Sequence, residues 1–474
     1  MSSPSDTSSA PKKQDASTQA SYPLEPTQLG TWSSDLKADV VTALASTVIV
    51  NHGATTALIN RDARSRGLIN VYSNAVTPEG SPTMNQKQSG RCWLFAGTNQ
   101  LRIGIMRRLN LTELELSPSY LFFYDKLEKA NFFLEQIEQT ATSEEVESRL
   151  IQHLLTDPVI DGGQYDMFAN IVAKYGLVPN SVFPDSFNTL ASRNMNYVIT
   201  TLLRQYAQEI REAVADGADT AKLRAQREAH MAQIFKLLTV FLGTPPGPND
   251  EIVWEYVDKD KEYHSVKTTP LGFYKDVVQY DVADTVSLLN DPRNEYNRLI
   301  TVDRLGNVAG RPYVTYVNAE IDVLASTAVS LIKANVPVFF GTHTPIYHDR
   351  KSGIIDTALW DYKLIGFDPK QNKADRLRYH QSLMTHAMLL TAVHVDPESG
   401  EPVRWRVENS WGTEPGIKGY FIMSHDFFKE YVYQIVAQKS AIEDEGVKAV
   451  IEDWDNQKPI VLPPWDPCGA LAKL

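Results

Sequence analysis

The sequence predicts an α+β fold with a helical first half, a strand-rich last third and a long, largely helical stretch between them. Three observations predict it. A buried helical run begins at Cys92 and a second helix follows Leu116-Ser117-Pro118-Ser119. Apolar strand-like runs lie at Val336-Pro337-Val338-Phe339-Phe340-Gly341 and from Met384 to Val393. Between about 180 and 320 the spacing is mostly helical, with one hairpin signal. At 474 residues the chain has room for two or three domains or one elaborated fold.

Residues 1–34 are rich in Ser, Thr, Pro and Ala and read as a disordered tail. Leu36, Val40, Val41, Leu44, Val48 and Ile49 have amphipathic helical spacing, which predicts a helix within 36–60. The helix over 92–109 carries Trp93, Leu94, Phe95, Leu101, Ile103, Ile105 and Met106, and ends on Arg107 and Arg108, which suit its C-terminal dipole. The next helix starts with Ser117 as N-cap and Pro118 in its first turn. Asp161-Gly162-Gly163-Gln164-Tyr165 precedes a helix ending at Tyr175-Gly176. Paired glycines let another backbone approach closely or simply make a turn. Residues 196–243 read as helical. Ile252, Trp254 and Tyr256 have strand spacing, Tyr263 opens a second strand, and Asp258-Lys259-Asp260-Lys261 makes the turn. A helix over 319–335 and a buried strand over 336–341 follow.

The chemistry concentrates at Gln86-Lys87-Gln88-Ser89-Gly90-Arg91-Cys92-Trp93. A cysteine at a helix start is close to the positive end of the helix dipole, which lowers a thiol pKa. Gln86 and the Cys92 N–H are then candidate oxyanion donors. A cysteine nucleophile needs a base, and the base needs an orienting group. Met384-Thr385-His386-Ala387-Met388 and Arg406-Val407-Glu408-Asn409-Ser410-Trp411-Gly412 supply an imidazole and an amide. His394 is a rival base, Glu408 reads as a surface or supporting carboxylate, and Cys468 in a proline-rich tail is given no catalytic role.

These segments, in the order Gln, Cys, His, Asn, resemble the papain-like cysteine peptidases. With the tail Trp465-Asp466-Pro467-Cys468-Gly469-Ala470-Leu471-Ala472-Lys473 they look like the bleomycin hydrolase family within that group, from about Asp35 to the C-terminus. The resemblance implies a helical half over 35–180 with the nucleophile and a β-barrel-like half over 321–456 with His386 and Asn409. Residues 181–320 become an inserted helical and hairpin domain for assembly into a homohexamer. Residues 457–474 become an arm in the active-site cleft. His386 is preferred over His394 because Thr-His-Ala-Met is the family motif. Trp411 is expected to shield the Asn–His hydrogen bond, and Gly162 and Gly163 to line the cleft. Cys92 and His386 are expected to form a thiolate–imidazolium pair. Lys473 and Leu474 are expected to bear on the substrate amine, with Leu474 open to self-trimming. The implied activity is removal of N-terminal residues from peptides with a free N-terminus. Hydrolysis of the bleomycin amide and of homocysteine thiolactone is implied too.

A net charge of −12 argues against general nucleic-acid or membrane-surface binding, though it leaves room for a local basic channel. The alternative function is thus an oligomeric scaffold or nucleic-acid-binding ring that keeps the peptidase fold. The intact Gln, Cys, His and Asn set favours the enzyme. Two cysteines make no disulfide framework. Secreted papain-like enzymes carry a disulfide cysteine where this chain has Ser89, so a cytoplasmic location is expected. Mitochondrial and peroxisomal pools are secondary expectations, the latter from Ala472-Lys473-Leu474. No apolar run approaches the ~20 residues of a membrane span. No metal and no organic cofactor is expected: His343, His348, His380 and His386 lack ligand spacing and paired cysteines.

Overall fold

The computed structural model describes residues 22–79, 84–344 and 346–473. They form two units. The smaller comprises the chain up to Ile59 together with Asp361–Asp368; the larger comprises Asn60–Trp360 and Pro369–Leu474.

The smaller unit contains helices Pro26–Ala38 and Val40–His52, so the stretch expected to be disordered is helical from Pro26 onward. Residues 1–21 lie outside the described residues. Local chemistry explains the helix. Pro26 sits in the first turn and the Glu25 N–H donates to Gln28 Oε1 at 2.9 Å. Helix Val40–His52 falls within the expected 36–60, and the Asp39 carboxylate caps it by accepting from the Val41 and Thr42 N–H groups. Neither helix buries a residue.

The larger unit places helices against one long mixed sheet. Helix Cys92–Arg108 is buried on nearly every face. Helix Pro118–Thr140 starts as expected, with Ser117 Oγ accepting the Tyr120 N–H at 3.0 Å. Strand His386–Val395 lies between Val338–Thr342 and Pro402–Glu408, antiparallel to both. The sheet continues past Val338–Thr342 through Val432–Gln438, Thr285–Leu289, Thr315–Asn318 and Arg298–Val302 to Ile460–Leu462 at its edge.

That path takes in strands from the stretch read as an insertion. Strands at 285–318 belong to the main sheet, where all but the first residue of each is buried. Helices Arg193–Ala215 and Thr220–Leu242 place Ile199, Leu203, Ile234 and Leu238 in the same core as Leu121 and Phe123 of helix Pro118–Thr140. Among the described residues, only the hairpin Ile252–Val257 with Tyr263–Thr268 forms a sheet of its own. The C-terminal arm also differs from a uniformly extended segment. After Ile460–Leu462 its last described turn, Pro467–Lys473, is a 3-10 helix with Cys468, Leu471 and Ala472 buried. Those apolar side chains gain more by entering the core than a solvated extended arm would give them. Among the described residues no helix is long and apolar enough to cross a membrane.

Candidate active site

Helix Cys92–Arg108 has no side-chain cap at its N-terminus, and its Leu94 and Phe95 N–H groups donate to the Arg91 carbonyl. The backbone N–H groups of Ala387, Trp93 and Cys92 itself face the sulfur and favour its thiolate. Ala387 is the residue after His386, so this contact brings the cysteine to the start of the histidine strand. His386 Nε2 lies 3.0 Å from Asn409 Oδ1. The Ser410 N–H donates to the same oxygen at 2.8 Å, which fixes the amide orientation. Nε2 therefore carries the proton, and Nδ1 of the neutral ring is the free acceptor. Trp411 stacks on the imidazole with ring centres 5.3 Å apart. His348 stacks on Trp411 at 5.1 Å, and Arg350 lies 4.8 Å from the indole centre.

Gln86 joins this group through a short pairing of two segments. The Gln86 N–H donates to the Ser410 carbonyl at 2.9 Å, and Asn85 Nδ2 donates to the Trp411 carbonyl at 3.0 Å. Gly412 has φ +74°, and a Cβ there would press on Asn85, so glycine is required for the approach. The Gln86 side chain is locked at both ends. Its Nε2 donates to the Ser89 carbonyl at 2.6 Å and its Oε1 accepts the Ser410 hydroxyl at 2.5 Å. A donor held this way needs no reorganisation when negative charge develops beside it. Gln86→Ala is expected to lower kcat/KM by ~10²–10³, the usual cost of one oxyanion donor, measured under first-order substrate conditions. A loss below about threefold would remove Gln86 from the site.

Burial pushes the Cys92 thiol up to about 11, against its three backbone donors. Burial also pushes the His386 imidazole down to about 4, against its bond to Asn409. Both shifts disfavour a lone thiolate or a lone imidazolium in this buried site. Passing the proton from sulfur to nitrogen leaves the net charge of the pair unchanged. Burial therefore opposes that transfer less than it opposes ionising either group alone.

Gly162 and Gly163 lie on the helical side. A Cβ on Gly163 would run into the Trp93 ring, and the Gly162 carbonyl accepts from Lys129 Nζ at 2.6 Å. The arm crosses from the histidine to this glycine pair: the Met384 N–H donates to the Pro467 carbonyl at 3.2 Å, and Gln164 Nε2 to the Cys468 carbonyl at 3.4 Å. Lys473 follows, near Lys129 and Asp157. Leu474 lies outside the described residues. Cys468 is buried beside Asp291 and Asp466, and burial with those carboxylates raises its thiol pKa well above the usual range. His394 sits near the far end of its strand, at Val395.

The sequence reading gave no role to Arg91 or Asp161, and left Glu408 between the surface and a supporting place. Arg91 is fully buried, with Nη1 on Asp185 at 2.9 Å and Nε on Ser89 Oγ at 3.0 Å. Asp161 is almost wholly buried beside the nucleophile loop. Glu408, expected at the surface or in a supporting place, is 2 % exposed and paired with Arg102 at 2.6 Å. The available signal was a charge at a core position: Arg102 stands between Leu101 and Ile103 in a buried helix, and such a charge demands a buried partner. Among the described residues no cluster of His, Cys, Asp or Glu is grouped to hold a metal ion.

The profile of the Peptidase C1-like family matches residues 23–469. The chain is 46 % identical over 453 residues to "Cysteine proteinase 1, mitochondrial" of Saccharomyces cerevisiae strain S288c, covering 95 % of this chain and 93 % of that protein. It is 41 % identical over 447 residues to bleomycin hydrolase of Homo sapiens, covering 92 % and 96 %. The crystal structure of PepW from Lactobacillus rhamnosis superposes with a TM-score of 0.90 at 37 % identity, covering 94 % of this chain and 99 % of that one.

Proposed function

The chain belongs to the Peptidase C1-like family and is a cysteine-type peptidase, and from that premise we propose how it works and on what. It acts as an aminopeptidase of the bleomycin hydrolase type, with Cys92 as nucleophile, His386 as base and acid, Asn409 as the orienting group and Gln86 as an oxyanion donor. The observation that carries the reading is the meeting of the Cys92 sulfur with the Ala387 N–H beside a histidine held by Asn409.

In the first half-reaction the Cys92 proton passes to His386 Nδ1 and the sulfur attacks the scissile carbonyl carbon. Gln86 Nε2 and the Cys92 N–H take the developing oxyanion. His386 returns the proton to the leaving amine as the C–N bond breaks, leaving a thioester. Water then gives a proton to His386 and attacks the thioester; the acid leaves and the thiol is restored. Asn409 and Trp411 hold the imidazole through both halves. The bleomycin amide is a proposed substrate too, given the name of the human relative.

The arm supplies the specificity for free amines. It runs from Met384 to Gln164 and would close the cleft beyond the first residue of a substrate, with the terminal carboxylate to meet the α-ammonium. Wild type is expected to cleave aminoacyl-coumarins only when their amine is free. Removal of residues 469–474 should lower that activity and raise activity on N-blocked peptides. Since Leu471 and Ala472 are buried, the truncated protein is first checked for folding by epoxide labelling of Cys92. Unchanged selectivity in a labelled, folded truncation would refute the role of the arm.

The enzyme is also proposed to be a homohexamer. Helices 193–242 are largely occupied by their own core. Leu36, Val40, Val41 and Leu44 of the smaller unit are each more than half exposed, and further copies of the chain would cover them. Sedimentation at micromolar concentration should show the hexamer; monomer alone would contradict it. Cytoplasmic and mitochondrial pools are both proposed, the second because the yeast relative is named mitochondrial.

A further inference from the structure

One carboxylate ties the loop before Cys92 to the rest of the larger unit. Asp161 precedes Gly162-Gly163 and is 5 % exposed. Its Oδ2 accepts the Gly90 N–H at 3.0 Å and the Ser192 hydroxyl at 2.5 Å. Its Oδ1 accepts from Lys126 Nζ at 2.6 Å and from Asn196 Nδ2 at 2.7 Å. Its main-chain carbonyl accepts the Trp93 indole N–H at 2.8 Å. Each carboxylate oxygen has two donors, so its bonding capacity is filled and its direction fixed. The residue reaches Gly90, two before the nucleophile, and Trp93, one after it. No proton transfer in the peptidase cycle uses it.

We propose that Asp161 is a positioning residue, whose carboxylate holds the Gly90 N–H and thereby the backbone from Gln86 to Cys92 that forms the oxyanion site. Ser192 and Asn196 steady that carboxylate, so the stretch expected to serve assembly also supports the active site. The proposal rests on the roles given above to Cys92 and Gln86. The competing role for Asp161 is to neutralise Lys126, whose side chain is fully buried.

Varying Asp161 alone would strand the Lys126 charge, so the test is made in a Lys126→Met background. Lys126→Met/Asp161→Asn keeps an amide oxygen for the Gly90 N–H. Its kcat/KM is expected within about threefold of Lys126→Met. Lys126→Met/Asp161→Ala has no acceptor and is expected to lose about 10- to 100-fold, in kcat more than KM, as for a misplaced catalytic loop. Affinity for an amino aldehyde, whose thiohemiacetal oxygen enters the oxyanion site, should fall in parallel. Equal kcat/KM in the two double variants, or unchanged aldehyde affinity with Ala, overturns the proposal. If the Ala variant does not fold, amide exchange in the wild type decides. The Gly90 N–H should exchange slowly within the 86–91 peptide, and exchange at an open-loop rate overturns the proposal. That readout needs no activity. A wild type that is inactive and unlabelled at Cys92 would instead refute the peptidase roles.

Discussion

Cys92→Ser is expected to lower kcat by about 10⁴- to 10⁶-fold while leaving fold and assembly unchanged, because a hydroxyl in this setting is a far poorer nucleophile than a thiol. The side chain changes by one atom, so its buried place at the helix start is retained. His386→Ala should fall as far, and the double variant no further, because residues that act as one unit do not contribute additively. His394→Ala should leave the acylation rate near wild type. Stopped-flow acylation with an activated ester separates these variants. Should His394→Ala abolish acylation while His386→Ala spares it, the base has been misassigned. Cys468→Ser should leave turnover unchanged.

Glu408→Ala is expected to destabilise the protein by ~3–5 kcal/mol, the usual result of leaving a buried partner charge uncompensated. Glu408 Oε1 accepts from Arg102 Nη2 at 2.6 Å and from Asn99 Nδ2 at 2.8 Å, and both charged side chains are at most 1 % exposed. Arg102 and Asn99 belong to the nucleophile helix, and Glu408 is the neighbour of Asn409. The pair therefore joins the two halves of the catalytic apparatus next to the residue that orients His386. A loss of that size is a large share of the ~5–15 kcal/mol that holds a domain together. Arg102→Met/Glu408→Leu should recover most of the stability, because neither charge is then buried. Urea unfolding measures both variants. A change below about 1 kcal/mol in Glu408→Ala would show that the ion pair braces nothing.

The sequence made the local chemistry legible and left the long-range chemistry hidden. Cys92 at a helix start, Ser117-Pro118 at the next and the apolar strand after His386 are patterns within a few residues, and all appear in the structure. The contact of Ala387 with Cys92, and of Gln86 with Ser410, joins segments hundreds of residues apart. Only the family resemblance brought those residues into one site. Arg102 with Glu408 and Asp161 with Gly90 were not foreseen, because pairing between distant polar residues leaves no periodicity. The full extent of the main sheet stayed hidden for a related reason. Thr285–Leu289 reads locally as a short apolar run, and only its pairing with Val432–Gln438 assigns it to the main sheet. The helix from Pro26 was masked by a composition shared with the preceding Ser- and Thr-rich residues, although Pro26 and Gln28 are both start signals.

Active-site labelling tests the central claim most directly. A peptidyl epoxide with a free amine is added to the wild type in increments, and residual aminopeptidase activity is compared with adduct position by peptide mass mapping. One adduct per chain is expected, on Cys92 and not on Cys468, with activity falling in proportion to it. Activity that persists once Cys92 is fully modified, or that disappears with modification elsewhere, would contradict the account.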